Sequence, residues 1–399
     1  MLRRNVARHA FAASRRDSVR LPWNALAVWS FAVSMRDKLR ALQAPSRAVW
    51  IDTARGLGIV LVVYGHVLRG QFHSGLIGWT PAIALQDRAI YAFHMPFFFL
   101  LSGLFAGARV RSRGEFIRRR LVTIVYPYVL WSVIQILLTM GAGHLANEHH
   151  ALADLARIGT DPIGQFWFLY VLAMLQLLLL LPRTLFLLTI PIGVAIFLLY
   201  GNGPLLPRAA WYLPFFAVGV VLGRSGLEAA LPTWRRAIAW LVGGAVAFAG
   251  LFALMPLLNG VPAALAQYAL AGAGIVAALG LARLLDSRIA LLSALGTASL
   301  AIFVLHVICG AAIRVGLERL GVSQPAIAIM LVTAGGLLIP FVIYRVAVSL
   351  DITPWLGLGY APRARDPVPP SVEAAHVPLE PAAPNADVGR DKARGPAFQ

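Results

Sequence analysis

The chain is built from apolar runs long enough to cross a membrane, separated by short segments rich in arginine. Inside lipid, a run of this kind must satisfy every backbone N–H and C=O internally, and a single segment can do so only as a helix. About twenty apolar residues at roughly 1.5 Å per residue cover the ~30 Å of hydrocarbon in a bilayer. Ten spans are expected, at 56–70, 88–107, 121–140, 165–182, 184–200, 209–223, 237–255, 262–283, 290–310 and 325–348. The predicted fold class is all-α, a polytopic membrane bundle of about ten transmembrane helices. The spans at 56–70 and 209–223 are short, and Pro182-Arg183 alone separates the fourth from the fifth, as a turn or a kink. Charged residues are only 13% of the chain, against about a quarter in soluble domains.

The net charge of +18 invites a nucleic-acid reading, but its distribution opposes one. With the N-terminus inside, the inner segments hold 29 of the 35 Lys and Arg residues. That asymmetry is the positive-inside pattern. It predicts a multi-pass protein of the cell inner membrane with both termini cytoplasmic, the lipid bilayer as partner and no nucleic acid. Cys309 is the single cysteine, so neither a disulfide framework nor a cysteine-based metal site is expected. Residues 1–46 read as a basic extension, or as an overextended start with translation from Met35. Residues 47–350 form the membrane domain, and 351–399 a Pro/Ala-rich cytoplasmic tail that is largely disordered.

The first span holds the most informative run, from Ile51 to His66. On a helix, Arg55 and His66 lie on one face, roughly 16 Å apart along the axis. An arginine at the membrane boundary stands in line with a histidine deep in the span, and intramembrane ionisable groups are functional suspects. Asp52, three residues before Arg55, can pair with and orient that guanidinium.

His94, in His94-Met95-Pro96, enters the second span from outside, and His306 falls in the outer half of the span at 290–310. Each can equally be a hydrogen-bonded packing residue. Zinc is a competing use for three histidines, but no paired-ligand spacing occurs and no carboxylate lies inside the expected spans near that depth, so no metal is expected. At the inner boundary, Arg118-Arg119-Arg120 is either a lipid-headgroup anchor or an anion site for a phosphorylated donor. Arg109, Arg111 and Arg113 fit the anchor role. Walker A and GxGxxG runs are absent.

These residues resemble the acyltransferase-3 family of integral-membrane O-acyltransferases over most of 47–350. The likeness rests on Asp52, Arg55-Gly56 and Gly65-His66, a basic residue and a histidine with ten residues between them. It continues through His94-Met95-Pro96, Phe98, Ser102-Gly103, Arg118-Arg119-Arg120, Pro127-Tyr128 and Phe166-Trp167-Phe168-Leu169. Phe215-Phe216-Ala217-Val218-Gly219, Gly296, Ser299-Leu300 and His306 complete it. The first segment is most similar to fucose 4-O-acetylase-like members. The resemblance implies transfer of an acyl group, commonly acetyl from cytoplasmic acetyl-CoA, to a hydroxyl of a surface or exported carbohydrate.

The physical reading and the resemblance agree on a mechanism. Arg55, helped by Arg118, Arg119 or Arg120, holds the phosphates of acyl-CoA, which is a donor substrate; no cofactor is permanently bound. His66 is the general base, suited by an unperturbed pKa of roughly 6.5. Asp52, His94 and His306 complete the catalytic set, the two histidines either acting directly or only orienting the site. A transient acyl-histidine is the less economical course. Trp167 and Tyr170 form an aromatic wall or ordinary interface packing. Glycan-assembly proteins are further partners if the acyl group is handed on. The alternative class is a multi-span transporter or exporter of a glycan or small molecule, in which buried His and Arg relay protons. A non-catalytic assembly subunit leaves the alignment of Arg55 with His66 unexplained.

Overall fold

The computed structural model describes residues 49–106, 112–145, 147–201, 203–225, 233–286, 288–322 and 324–359. The extension 1–46 with Met35, Arg109, Arg111 and the tail beyond 359 lie outside the described residues. Among the described residues every regular element is a helix. Nine segments there are long and apolar enough to span a bilayer, and Gly164–Leu180 is a shorter apolar helix. The protein is a polytopic helical membrane protein.

The first helix, α1 (Val49–His73), begins with Asp52 in its first turn, where a carboxylate complements the helix dipole. It continues unbroken past Arg55 and His66, so the expected shared face holds. The next span is α2 (Pro81–Tyr91) followed by α3 (His94–Ala106). Thr80 caps α2, its hydroxyl accepting from the Ile83 N–H, and Pro81 sits at the first helical position. The interruption at Ala92-Phe93 precedes Pro96, which has no N–H to return to the Ala92 carbonyl.

The third span joins α4 (Arg113–Arg120) to α5 (Tyr126–Ala142) through a π-helical stretch, Leu121–Val125. Then come α6 (Ala153–Arg157) and α7 (Trp167–Leu177), extended by 3-10 turns to 164 and 180. Pro182 is extended (φ −52°, ψ 149°), making the Pro182-Arg183 junction a turn between two helices. The remaining helices are α8 (Arg183–Tyr200), α9 (Leu205–Ser225), α10 (Trp234–Leu254), α11 (Gly260–Leu285), α12 (Ala290–Thr297), α13 (Ser299–Arg319) and α14 (Pro325–Ser349). The two spans expected to be short gain a full turn or more at their edges.

The span expected at 290–310 is corrected. The helix breaks at Ala298 (φ −92°, ψ 6°), and the membrane-length helix is α13, Ser299–Arg319. His306 therefore lies nearer the Ser299 end of its helix, rather than in the outer half of a 290–310 span. Short α12 packs on the start of α1 instead. The approach is backbone to backbone. A Cβ at Gly56 would stand 1.8 Å from the Leu292 carbonyl oxygen, and one at Gly296 would stand 1.8 Å from that of Asp52. Glycine at both positions is what lets α12 seat against the Arg55 end of α1.

The central element is α1, touching α2, α3, α11, α12, α13 and α14. Its Ile59, Val62 and Val63 are buried in the larger core cluster, with Phe99, Phe166, Phe168, Ile302 and Val304. A second cluster at the Arg55 end combines Trp50, Ile51 and Ala54 with Phe97, Leu101 and Ile275. Beyond α14 the chain folds back onto α5. The Trp131 indole N–H donates to the Leu356 carbonyl at 2.9 Å, and Leu358 is buried. Residues 351–359, assigned to the tail on composition, thus pack against the bundle.

Candidate active site

Three histidines converge where α1, α3 and α13 meet. The His66 and His306 rings lie 5.0 Å apart, centroid to centroid, in an edge-on arrangement at 72°. His94 joins through Tyr91, whose ring is 4.6 Å from that of His94 and 6.4 Å from that of His66. In each histidine Nδ1 bonds a carbonyl of the preceding turn: Val62 at 2.9 Å for His66, Ile90 at 2.8 Å for His94, and Ile302 and Phe303 at 3.0 and 2.8 Å for His306. A carbonyl only accepts, so Nδ1 carries the proton in all three. In the neutral ring Nε2 then keeps the lone pair. In His94 and His306 that nitrogen is buried and has no hydrogen-bond partner among the described residues.

Beside this cluster lies an ion pair. Arg69 on α1 binds Asp87 on α2 through two parallel hydrogen bonds, Nε to Oδ1 at 2.7 Å and Nη2 to Oδ2 at 2.9 Å. The same guanidinium lies 3.3 Å from the centre of the Tyr91 ring. This corrects the expectation that no carboxylate reaches histidine depth: α2 begins at Pro81, seven residues before the expected edge at 88, so buried Asp87 belongs to the second span. The Thr80-Pro81 pair, a capping residue followed by proline at the first helical position, is the signal that marks the earlier start. Among the described residues no group of three or more His, Cys, Asp or Glu side chains could hold a metal ion.

A cavity of about 560 Å³ opens at the His73 end of the bundle, walled by Arg69, Arg88, Tyr91, Arg208, Tyr212 and Gln267, with Asp87 and Trp211 also on its lining. Trp167 stands behind that wall, stacked on Tyr212 at 5.4 Å with the Arg208 guanidinium 5.3 Å above its ring. Tyr170 does not join it: its hydroxyl donates to the Gly159 carbonyl at 2.8 Å.

At the opposite end, Arg55 Nη1 is 3.8 Å from Asp52 Oδ1, and its guanidinium lies 4.2 Å from the centre of the Phe105 ring. The arginine triplet diverges. Arg118 is exposed, Arg119 pairs with Glu115 at 2.7 Å, and Arg120 turns back to donate to the Ala106 carbonyl at 3.2 Å. Arg55 and Arg120 therefore engage consecutive residues, Phe105 and Ala106, at one helix end. Asp52 is buried beneath Arg55 and takes no place beside the histidines.

These features can be set beside known proteins. A family model described as an acyltransferase domain matches residues 48–345. Nodulation protein NolL of Mesorhizobium japonicum is 30% identical over 129 residues, 31% of this chain and 33% of the relative. Nodulation protein NolL of Sinorhizobium fredii is 29% identical over 131 residues, 32% of this chain and 34% of the relative. The chain thus spans about a third of the length of the curated relatives it matches. No solved structure matches it. The family match covers the bundle that carries Arg55, His66, His94 and His306, and the chain belongs to this acyltransferase family.

Proposed function

We propose that the protein is a membrane O-acyltransferase that moves an acyl group, acetyl in the simplest case, from acyl-CoA to a hydroxyl of a surface or exported carbohydrate. The observation that carries this reading is the histidine cluster with its unprotonated Nε2 atoms, one ring away from a cavity of sugar-accommodating size and in line with Arg55 on α1. The membrane domain sits in the cell inner membrane with its Arg55 end in the cytoplasm and its His73 end outside, following the arginine asymmetry.

In this scheme Arg55 and Arg120 hold the phosphates of acyl-CoA at the cytoplasmic face, Arg118 and Arg119 add to the positive field, and Asp52 orients Arg55. The pantetheine arm rises along α1 towards His66. Nε2 of His66 takes the proton of the acceptor hydroxyl while its oxygen attacks the thioester carbonyl carbon. The new C–O bond forms, the tetrahedral intermediate collapses, and the C–S bond breaks. The departing thiolate takes the proton back from the imidazolium, so the enzyme returns neutral and free CoA leaves. His306 and His94 position His66, directly and through Tyr91.

The test uses the full chain in nanodiscs with radiolabelled acetyl-CoA and a panel of oligosaccharides. Label should move covalently to saccharide in the wild type and fall to background in His66→Ala. Saccharide flux across proteoliposomes with no covalent transfer would instead support the exporter reading.

A further inference from the structure

Two cations of the cavity at the His73 end are uncompensated. The two oxygens of Asp87 are both engaged by Arg69, so that pair is internally neutral. Arg88 and Arg208 have no ion-pair partner among the described residues. Each guanidinium instead lies over an aromatic ring, Arg88 over Phe252 at 5.9 Å and Arg208 over Trp167 at 5.3 Å. Guanidinium groups left unpaired at a membrane protein's polar end commonly reach for lipid phosphates. Here both line one cavity between α2, α9 and α11, with Tyr91, Tyr212 and Gln267 supplying the aromatic and hydrogen-bonding surface that a sugar ring needs. A planar guanidinium fork matches a carboxylate or phosphate in two parallel hydrogen bonds.

From this geometry we infer that Arg88 and Arg208 form an anion subsite for the acceptor, which is a saccharide carrying a carboxylate or phosphate group. This deepens the acyltransferase reading and rests on it for the word acceptor alone. Tyr91 lines the cavity, and its ring is 6.4 Å from that of His66. The subsite therefore grips the charged part of the ligand while a hydroxyl further along reaches the base. Neutral glycans of the same shape forgo that grip and bind more weakly.

The experiment measures binding, so it is independent of transfer. The full chain is placed in nanodiscs of phosphatidylcholine and titrated with a galacturonic acid trimer, the matching galactose trimer, galactose 6-phosphate and galactose. The wild type should bind the acidic trimer at least about tenfold more tightly than the neutral one. A parallel preference for galactose 6-phosphate over galactose assigns phosphate as the natural anion, and its absence assigns carboxylate. The double variant Arg88→Gln/Arg208→Gln should lose the preference at unchanged thermal midpoint, and Arg88→Lys/Arg208→Lys should restore part of it. Equal affinity for acidic and neutral trimers overturns the proposal, as does a preference that survives the double glutamine variant. It is also overturned if phosphatidylglycerol in the nanodisc abolishes the preference, which makes the ligand a lipid headgroup. Loss of acetyl-CoA binding in the double variant overturns it too, because the cavity then holds donor phosphates. Acidic-trimer preference without any acyl transfer would sink the enzyme reading and leave the anion subsite standing.

Discussion

His66 on α1 and His306 on α13 meet edge-on with ring centroids 5.0 Å apart, each with Nδ1 tied to a carbonyl of its own helix. The backbone bonds lock both tautomers and leave Nε2 of each neutral ring with its lone pair. If His66 is the base, as proposed, its removal should cost what general-base catalysis contributes, about 10²–10⁴ in rate. His66→Ala should abolish acyl transfer in purified protein at unchanged membrane abundance, whereas His306→Ala should lower kcat with acetyl-CoA affinity retained. Near-normal transfer by His66→Ala would remove it from the base role.

Arg55 should govern donor affinity. Losing charge-assisted hydrogen bonds to phosphate should weaken acetyl-CoA binding about ten- to a hundredfold in Arg55→Ala, with activity partly recovered at high donor concentration. Arg55→Lys should keep some affinity, since charge remains although the fork is lost. His66→Ala should still bind acetyl-CoA. Calorimetric titration of each purified variant separates these outcomes, and unchanged affinity in Arg55→Ala would leave the Asp52–Arg55 pair as a boundary anchor.

Breaking the Arg69–Asp87 pair should destabilise the site from within. Asp87→Asn leaves the half-exposed Arg69 guanidinium over Tyr91 without its carboxylate, a loss of about 1 kcal/mol or less because solvent screens the exposed partner. A lower melting midpoint in detergent is expected, and Arg69→Met/Asp87→Leu should recover much of it because neither partner is then left unpaired. A midpoint for Asp87→Asn equal to wild type would contradict the structural weight given to this pair.

The α3–α9 interface should tolerate no side chain at its closest points. A Cβ at Gly103 would stand 2.2 Å from the Phe216 carbonyl oxygen, and one at Gly219 2.1 Å from that of Leu100. Small residues let membrane helices approach this closely. Gly219→Val should cost at least about 1–3 kcal/mol through overpacking, seen as a lower melting midpoint. Gly243→Ala, where nothing lies within 4 Å, should be neutral or slightly stabilising.

Orientation is testable apart from chemistry. In a Cys309→Ala background, Gly159→Cys should label from outside the cell and Gly114→Cys only after permeabilisation. Both positions are exposed. Labelling of the two from the same side would reject the proposed topology.

The spans were legible in the sequence because hydropathy is a local property: each apolar run must become a helix regardless of its neighbours. The alignment of Arg55 with His66 was legible for the same reason, since both belong to one uninterrupted helix. Thr80-Pro81 carried the true start of the second span in its capping chemistry, which a hydropathy edge at 88 passes over. Contacts between helices far apart in the chain were not legible. That His306 meets His66, that Arg69 takes Asp87, and that Arg120 rather than Arg118 turns towards the Arg55 end all depend on how helices rotate and slide against one another. Those rotations are set by close backbone approaches such as Gly56 to Leu292 and Gly103 to Phe216. A linear pattern records the small residue but not which partner fills the space beside it. The sequence by itself determined a helical membrane bundle with its arginine and histidine in register. Tertiary packing decided which buried groups share a site.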